Sequence, residues 1–326
     1  MSRLAILHPT TLVGKELVDL LAERPDLASD LRLLSLDMDE VGALTEAAGA
    51  ATLVAAADEA EFEAADVLVA CGPLAPYRRL LESRRADSTL VVLAPDAGLE
   101  DGTPVVAGVN LDDARRGEAI VSPHPAAVLV AHLLHPLLPH GLVAAAATVL
   151  QPVSVYDRPG LDELFAQAGR MVSMQSQSPS DLFGGRQLAF NLWPAPKPPP
   201  GLLHELRATL GEAAAAVPLT LSLLQGPVFH GFAATLHVEL EDDPGEVELR
   251  ERLAENELVE LYEPEDDERD DLGPIDVAAQ EKVLVGAVQR DPEAAGTRQG
   301  YWVWAVMDNL TRGGALNALA ILERVG

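Results

Sequence analysis

The first third of the chain alternates short runs of Val, Leu and Ile with stretches of helical periodicity, as is typical of parallel βαβ units. The apolar runs occupy residues 4–7, 31–36, 66–71 and 89–93. Helical stretches are predicted at residues 12–22 and 74–82. Because the apolar runs show little polar alternation, both faces of these strands should be covered. We therefore predict an α/β domain built on a doubly wound parallel sheet, with ligands at the carboxyl ends of the strands.

The pattern changes after about residue 125. Longer strand candidates follow at residues 142–155, 218–228, 233–241, 282–289 and 299–307. Helix-like stretches lie between them at residues 161–174, 202–212 and 246–255. This mixture predicts an α+β domain whose sheet is large enough to pair with a second copy of itself. Residues 311–324 read as a closing amphipathic helix. The expected division is residues 1–125 with 311–326 in one domain and residues 126–310 in the other.

Length and charge restrict the class of protein further. A chain of 326 residues with 48% hydrophobic residues is long enough for two cores and is globular. It carries 23 basic and 51 acidic residues, a formal net charge of −28. Such a surface repels phosphate backbones, so a nucleic-acid partner is not expected. The acids crowd residues 239–271, including 265–268, and a solvated acidic loop is favoured there over a metal site.

The sequence predicts no disulfide, no membrane-spanning segment and no metal site. Cys71 is the only cysteine, which excludes an intrachain disulfide and fits a reducing compartment. The first residues lack the features of a secretory signal, and the apolar run 128–138 is too short to span a bilayer. His132 and His135 share a helical face, but no acid or thiol lies near them in the sequence, so no metal site is predicted. We expect a soluble, cytoplasmic protein.

Three segments together resemble aspartate-semialdehyde dehydrogenases. They are the opening strand, turn and helix with Gly14, the segment Gln151-Pro-Val-Ser154, and the segment Asp308-Asn-Leu-Thr-Arg-Gly-Gly-Ala-Leu-Asn317. The last is the most specific, since the family reads Asp-Asn-Leu-Arg-Lys-Gly-Ala-Ala-x-Asn before its final helix. The resemblance covers essentially the whole chain and is closest to the Usg branch, whose members keep the fold without the catalytic cysteine. It implies a Rossmann-like domain followed by an α+β domain for substrate binding and dimerisation.

The nucleophile of the family is absent at the matching position. Where the family reads roughly Ala-Asn-Pro-Asn-Cys-Ser-Thr, this chain reads Ser-Pro-His-Pro-Ala-Ala, with Pro125 in place of the cysteine. Proline suits the first turn of a helix, but it has neither a nucleophilic atom nor a backbone N–H. Loss of a covalent nucleophile costs about 10⁴- to 10⁶-fold in rate. The family reaction is therefore not expected, and Cys71, after an apolar strand, is expected to be a buried hydrophobe rather than a substitute.

The cofactor loop of the family is also altered. Its Gly-Ala-Thr-Gly-x-Val-Gly appears as His8-Pro-Thr-Thr-Leu-Val-Gly14, which keeps only the glycine used in packing. The remaining candidate cofactor contacts in this loop are Thr10, Thr11, Val13 and Gly14. The helix N-terminus and the Thr10 hydroxyl stay available for an anion in this interpretation.

A second cofactor signal follows the second strand. Asp37 is placed to accept a hydrogen bond from the ribose of NAD, whereas the acids at residues 37–40 would repel the extra phosphate of NADP. An acidic surface turn is the alternative interpretation. NAD therefore stays an open alternative as cofactor, and NADP is disfavoured. The resemblance places Arg312 and Asn317 near the nicotinamide.

The substrate groups of the family are partly kept. Gln151 matches its substrate-orienting glutamine and His230 its acid–base histidine. The two arginines that hold substrate anions correspond to Leu99 and Leu223, so both anion clamps are lost. In the alternative interpretation, Gln151 and His230 are ordinary polar residues at a strand end and in a turn, without a role in substrate binding.

Three functional hypotheses follow. In the first, the protein is a homodimeric member without the phosphorylating dehydrogenase activity, and it binds a small metabolite or a partner protein. In the second, it is an NAD-dependent oxidoreductase that uses His230 as acid–base group without a covalent intermediate. In the third, it forms mixed dimers with an active paralogue. The sequence does not rank the first and the third.

Overall fold

The computed structural model describes residues 3–27, 29–47, 50–176, 181–195, 201–263, 272–293 and 299–326. The chain divides into two compact units, which are Met1–His124 with Gly313–Gly326, and Pro125–Arg312. We call them the first and the second unit. The acidic residues 265–268 and the prolines at 198–200, for which the sequence predicts a loop and an extended connector, lie outside the described residues.

The described part of the chain contains fifteen strands and eight α-helices. The strands are β1 (Arg3–Leu7), β2 (Asp30–Ser35), β3 (Leu44–Ala47), β4 (Ala50–Ala56), β5 (Val67–Ala70), β6 (Thr89–Val92), β7 (Thr103–Pro104), β8 (Ala119–Val121), β9 (Leu142–Gln151), β10 (Trp193–Pro194), β11 (Leu219–Gln225), β12 (Phe232–Leu240), β13 (Val259–Leu261), β14 (Val283–Arg290) and β15 (Gln299–Met307). The helices are α1 (Leu12–Ala22), α2 (Glu59–Ala64), α3 (Arg78–Leu81), α4 (Pro125–Leu134), α5 (Asp157–Val172), α6 (Leu202–Leu210), α7 (Gly245–Leu253) and α8 (Leu316–Val325).

The first unit is a doubly wound sheet. Its strand order is β3-β4-β2-β1-β5-β6-β8-β7, and every pair is parallel except the hairpin β3–β4. Alternate residues of β1 pack into two separate apolar clusters, with Leu4 and Ile6 in one and Ala5 and Leu7 in the other. Both faces of the strands are therefore buried, as their unbroken apolar runs predict. The predicted α/β fold class is confirmed.

The second unit is an α+β domain. Its strand order is β10-β11-β9-β12-β15-β14-β13. The central pairs β9–β12, β12–β15 and β14–β15 are antiparallel, whereas β11–β9 and β13–β14 are parallel. Buried and less buried residues alternate along β12, which is the pattern of a sheet with one covered face. The helices α4, α6 and α7 contact this sheet.

Several elements differ from those expected, each for a local reason. The strand predicted at residues 142–155 ends at Gln151, because Pro152 cannot continue the ladder and a 3₁₀ turn follows. The closing helix starts as a π-helical turn, Thr311–Ala315, before α8. The hairpin β3–β4 and the short helix α2 were not predicted, since their alanine-rich sequences have no clear period. No helix in the described ranges is long and apolar enough to cross a membrane.

Candidate functional site

The crevice of the first unit lies at the carboxyl ends of β1 and β5, where the strand order reverses. His8 follows β1 directly, with a left-handed φ of 56°. Its Nε2 lies 3.0 Å from the carbonyl oxygen of Pro73, and its ring meets Tyr77 edge-on at a centroid distance of 4.8 Å. A Cβ on Gly72 would lie 2.7 Å from this ring. The histidine therefore joins the loops after β1 and β5 at the position where the family has a glycine.

The start of α1 is held by its own residues. Thr11 is the N-cap, and its Oγ1 accepts the Gly14 N–H at 3.1 Å. The same oxygen lies 2.9 Å from the carbonyl oxygens of His8 and Cys71, to which its hydroxyl can donate. A Cβ on Gly14 would lie 2.4 Å from the carbonyl oxygen of His8. Val13 packs against the apolar core of the unit. Thr11, Val13 and Gly14 thus have structural partners.

A carboxylate stands beside this helix start. The Thr10 hydroxyl donates to the carboxylate of Glu40, and the Ser35 hydroxyl donates to its other oxygen at 2.6 Å. The expectation that the Thr10 hydroxyl is available for an anion is therefore wrong. Asp37 is exposed and accepts the Asp39 N–H at 2.9 Å, which closes the surface turn.

These residues do not fit the dinucleotide that the resemblance implies. A pyrophosphate needs close approach to the backbone at the first turn and donors at the helix N-terminus. Here the His8 ring occupies the turn, and the carboxylate of Glu40 already takes the Thr10 hydroxyl. A second anion at this point would face a negative charge rather than free donors.

Asn317, expected near the nicotinamide, is used inside the first unit. It is 1% exposed. Its Oδ1 accepts the Ala107 N–H at 2.7 Å, and its Nδ2 donates to the Val105 carbonyl and the Ser122 hydroxyl, both at 2.9 Å. Both amide hydrogens therefore have acceptors, and no donor remains for a nicotinamide. The side chain instead ties α8 to the segments around β7 and β8.

In the second unit, strand register brings the remaining candidates to one end of the sheet. Gln151 ends β9 opposite Gln225, the last residue of the parallel strand β11. The next strand β12 begins at Phe232, paired with Met307 at the end of β15. His230 and the segment that contains Arg312 therefore lie at the same sheet end as Gln151. We call this region the polar sheet end.

Gln151 is locked to its neighbour. Its Nε2 donates to Oε1 of Gln225 at 2.9 Å, and the Gln225 amide donates to the carbonyls of Gln151 and Gly226, both at 3.1 Å. Both glutamines are buried. The pair joins the ends of two parallel strands, which is a structural role for the glutamine that the family uses to orient substrate.

His230 is different, because one of its ring nitrogens is enclosed without a partner. Its Nδ1 is buried and has no hydrogen-bond partner among the described residues. The next residue is anchored, since the Gly231 N–H donates to Oδ1 of Asn309 at 3.1 Å, and Asn309 also bonds Ser154. The imidazole is thus held on a fixed loop with a free nitrogen. Sequence reasoning missed Asn309, although it stands in the terminal motif that carries the resemblance.

Neither the family's nucleophile position nor the possible substitute Cys71 offers a thiolate. Pro125 is the first residue of α4, where a missing N–H costs nothing. Cys71 is 2% exposed in the apolar core of the first unit, and burial raises the pKa of its thiol to about 12. Leu99 is 40% exposed and Leu223 is buried, so neither side chain offers a charge for an anion.

Neither His124 nor His132 is part of a metal centre in the part of the chain that the structure describes. Burial lowers the pKa of His124 to about 4 and that of His132 to about 3. Within the described ranges, no group of three or more His, Cys, Asp or Glu side chains is placed to hold a metal ion.

No protein-family model matches the chain. The USG-1 protein homolog of Azotobacter vinelandii is 29% identical over 336 residues, 98% of this chain and 96% of that protein. The aspartate-semialdehyde dehydrogenase of Synechocystis is 26% identical over 337 residues, again 98% and 96% of the two chains.

Solved structures share the fold. A probable aspartate-semialdehyde dehydrogenase from Pseudomonas aeruginosa superposes with a TM-score of 0.87 at 24% identity, over 99% of this chain and 97% of the other. Aspartate semialdehyde dehydrogenase II from Vibrio cholerae gives a TM-score of 0.84 at 22% identity, over 98% and 97%. The chain is therefore similar over its whole length to aspartate-semialdehyde dehydrogenases and to the USG-1 protein homolog, and it shares the fold of the solved dehydrogenases.

Proposed function

We propose that this protein does not carry out the phosphorylating dehydrogenation of aspartate semialdehyde and acts instead as a dimeric protein that binds a small metabolite or a partner protein. The observation that carries the proposal is that the chain has no accessible thiol: Pro125 stands at the start of α4, and the thiol of Cys71 is buried. The family reaction needs a thiolate at that helix start, where the helix dipole lowers its pKa.

Cys71 is a poor replacement on two counts. A thiol with a pKa of about 12 is ionised to a fraction on the order of 10⁻⁵ at pH 7. Its side chain also packs in an apolar cluster, so a substrate carbonyl has no route to the sulfur. An acyl-thioester therefore has no site on this chain.

The assay is the reduction of NADP, and in parallel of NAD, with aspartate semialdehyde and phosphate. We expect a rate at least about 10⁴-fold below that of an active dehydrogenase assayed alongside. Pro125→Cys should not restore turnover, because His8 and Glu40 still fill the dinucleotide crevice. Cys71→Ala is the matched control and should leave any residual rate unchanged. Turnover at the rate of the active enzyme, or an acyl group trapped on Cys71 and detected by mass spectrometry, would overturn the proposal.

An open sheet face supports the dimeric part of the proposal. Ala146, His237 and Trp302 lie in register across β9, β12 and β15. Trp302 is 44% exposed, and its ring lies 4.7 Å from that of His237. A sheet face that carries small and aromatic side chains on its central strands suits pairing with an identical face.

Light scattering after gel filtration tests the dimer. The wild type should elute at twice the chain mass of 34.5 kDa. Trp302→Glu should shift the protein towards the monomer, whereas Met38→Glu, on an exposed turn of the first unit, should not. A wild type that is monomeric at tens of micromolar would refute this part. Co-purification with an active paralogue from the native host would instead favour the mixed dimer.

The alternative function, an NAD-dependent oxidoreductase, is favoured by the free ring nitrogen of His230. An imidazole with an open nitrogen can give a proton to a carbonyl oxygen or take one from an alcohol. Titration of NADH fluorescence discriminates between the two proposals. Saturable binding at submillimolar NADH would favour the oxidoreductase, and His230→Asn would then abolish turnover while leaving NADH binding intact. No binding at millimolar NADH would eliminate it.

A further inference from the structure

A second group of unpartnered polar atoms lies at the corner of the second unit where β13 and β14 begin. His132, on α4, bonds Asn256 just before β13, with 3.1 Å between its Nδ1 and the amide nitrogen. Arg312 reaches the segment just before β14, where its Nη1 points to the carbonyl of Glu281 at 3.5 Å. These two strand starts are themselves joined, since the Val283 N–H donates to the Leu258 carbonyl at 2.9 Å.

The position of the His132 proton follows from its neighbour. Oδ1 of Asn256 accepts the Leu258 N–H at 3.0 Å, so the amide NH₂ must face the histidine. Nδ1 of His132 is then an acceptor, and the proton of the neutral ring is on Nε2. That nitrogen is completely buried and has no acceptor among the described residues. A buried N–H without an acceptor is unusual in a native structure.

Arg312 also has a buried N–H without an acceptor among the described residues, and its side chain carries a full positive charge. It is 5% exposed, and its Nε is buried without an acceptor in the described ranges. Its hydrogen bond to the Glu281 carbonyl, the one it makes within the described ranges, is at the outer limit of length. No described carboxylate forms an ion pair with it, and the Glu281 side chain is exposed. Burial lowers the pKa of Arg312 to about 10, a value at which the guanidinium is still charged at neutral pH.

Arg252 in the same unit shows how this chain otherwise buries a guanidinium. It is 8% exposed, and it contacts Asp242 at 2.5 Å and Glu248 at 2.6 Å. Two carboxylates therefore compensate that charge. Arg312 has the burial without an ion pair to any described carboxylate, since the exposed Glu281 carboxylate attracts it only weakly compared with the cost of burial. A buried charge with so little compensation is destabilising.

We propose that Arg312 and His132 form a binding site for a small monovalent anion, a carboxylate or a halide, in the second unit. The anion would accept from Nε of Arg312 and Nε2 of His132 and would balance the buried charge. This site does not depend on whether the protein lacks dehydrogenase activity. The proposed site would bind an acidic group in a chain where the two arginines that hold substrate anions in the family correspond to leucines.

The test is the midpoint of thermal unfolding in sodium formate, acetate or chloride, each compared with sodium MES at the same ionic strength. The comparison at constant ionic strength removes the general salt effect expected for a chain of net charge −28. A bound anion at ten times its Kd should raise the midpoint by about 3 to 6 °C with saturation. A larger shift with formate and acetate identifies a carboxylate ligand, and a larger shift with chloride identifies a halide.

Variants show whether the shift comes from this site. Arg312→Met should lose the anion-specific shift without a lower midpoint in MES, because the variant no longer buries a charge. Arg312→Lys should keep the charge but bind about tenfold more weakly, since the planar donor set is lost. Arg252→Met is the matched control, which should lower the midpoint in MES and keep the anion shift. No anion-specific shift in the wild type, or an equal shift in Arg312→Met and Arg312→Lys, would overturn the proposal.

Discussion

Acidification from pH 8 to pH 5 should destabilise the second unit through His132. The pKa of this histidine is lowered to about 3, first by burial, then by the charge of Arg312, and least by His135, which begins the 3₁₀ turn after α4. In the unfolded chain the same group titrates near pH 6.5. Between these values the unfolded chain binds a proton and the folded chain does not. The contribution to stability is therefore complete above pH 6.5 and is lost as the pH falls towards 3.

The size of the effect follows from that interval. One pKa unit corresponds to about 1.4 kcal/mol, so the interval from 6.5 to 3 amounts to about 5 kcal/mol in total. By pH 5 the loss should be about 2 kcal/mol. His124, with a pKa of about 4, acts in the same direction but belongs to the first unit. Asp66 and Asp242, whose pKa values are lowered by hydrogen bonds, contribute only below about pH 4.5. The window from pH 8 to 5 therefore isolates the histidines.

Urea denaturation followed by tryptophan fluorescence measures this loss. The tryptophans Trp193, Trp302 and Trp304 all lie in the second unit, so they report on its unfolding. His132→Gln can still bond Asn256 but does not titrate, and it should flatten the dependence between pH 8 and 5 by about 2 kcal/mol. His204→Gln, on an exposed face of α6, is the control and should not. Equal pH dependence in wild type and His132→Gln would refute the reasoning.

Three further predictions concern stability. Gly14→Ala should lower the free energy of unfolding by about 2 kcal/mol or more, because its Cβ would lie 2.4 Å from the His8 carbonyl oxygen; circular dichroism would follow the unfolding. Asn317→Ala leaves the Ala107 N–H without its acceptor and should cost about 3 kcal/mol by the same measurement, while an unchanged midpoint would contradict the buried geometry. Gly231→Ala forces a φ of +84° on a residue whose Cβ would meet a backbone oxygen at 2.6 Å, and tryptophan fluorescence should show a loss of about 2 kcal/mol.

Much of the fold was predictable because it is written in local patterns. The apolar runs 4–7 and 89–93 predict buried strands, because they lack the polar alternation of a half-exposed strand. Thr11, as a helix N-cap residue, together with Gly14 marks the start of α1. The hairpin β3–β4 was not predictable in this way. Its alanines carry no period, and the antiparallel ladder with β4 alone defines β3.

The site was less predictable, because its contacts join distant parts of the chain. The bond from Thr10 to Glu40 spans 30 residues, and the contact of His8 with Pro73 spans 65. A sequence pattern can show that a glycine is missing from a phosphate loop. It cannot show that a carboxylate from the next loop has taken the hydroxyl. For the same reason Asn317 was assigned to a cofactor, whereas its partners lie about 210 residues away.

The two units differ in whether the polar groups at their candidate sites already have hydrogen-bond partners. At the strand ends of the first unit, His8, Thr10 and Glu40 bond residues of the same unit, and a ligand would have to break these contacts to enter. In the second unit, His230 and Arg312 each have a buried nitrogen with no hydrogen-bond partner among the described residues. Leaving such groups unpaired costs about 1–3 kcal/mol each. A ligand that forms hydrogen bonds with them would recover this free energy on binding. We therefore place the proposed binding function in the second unit. The enclosed nitrogens favour a small polar molecule there over a dinucleotide.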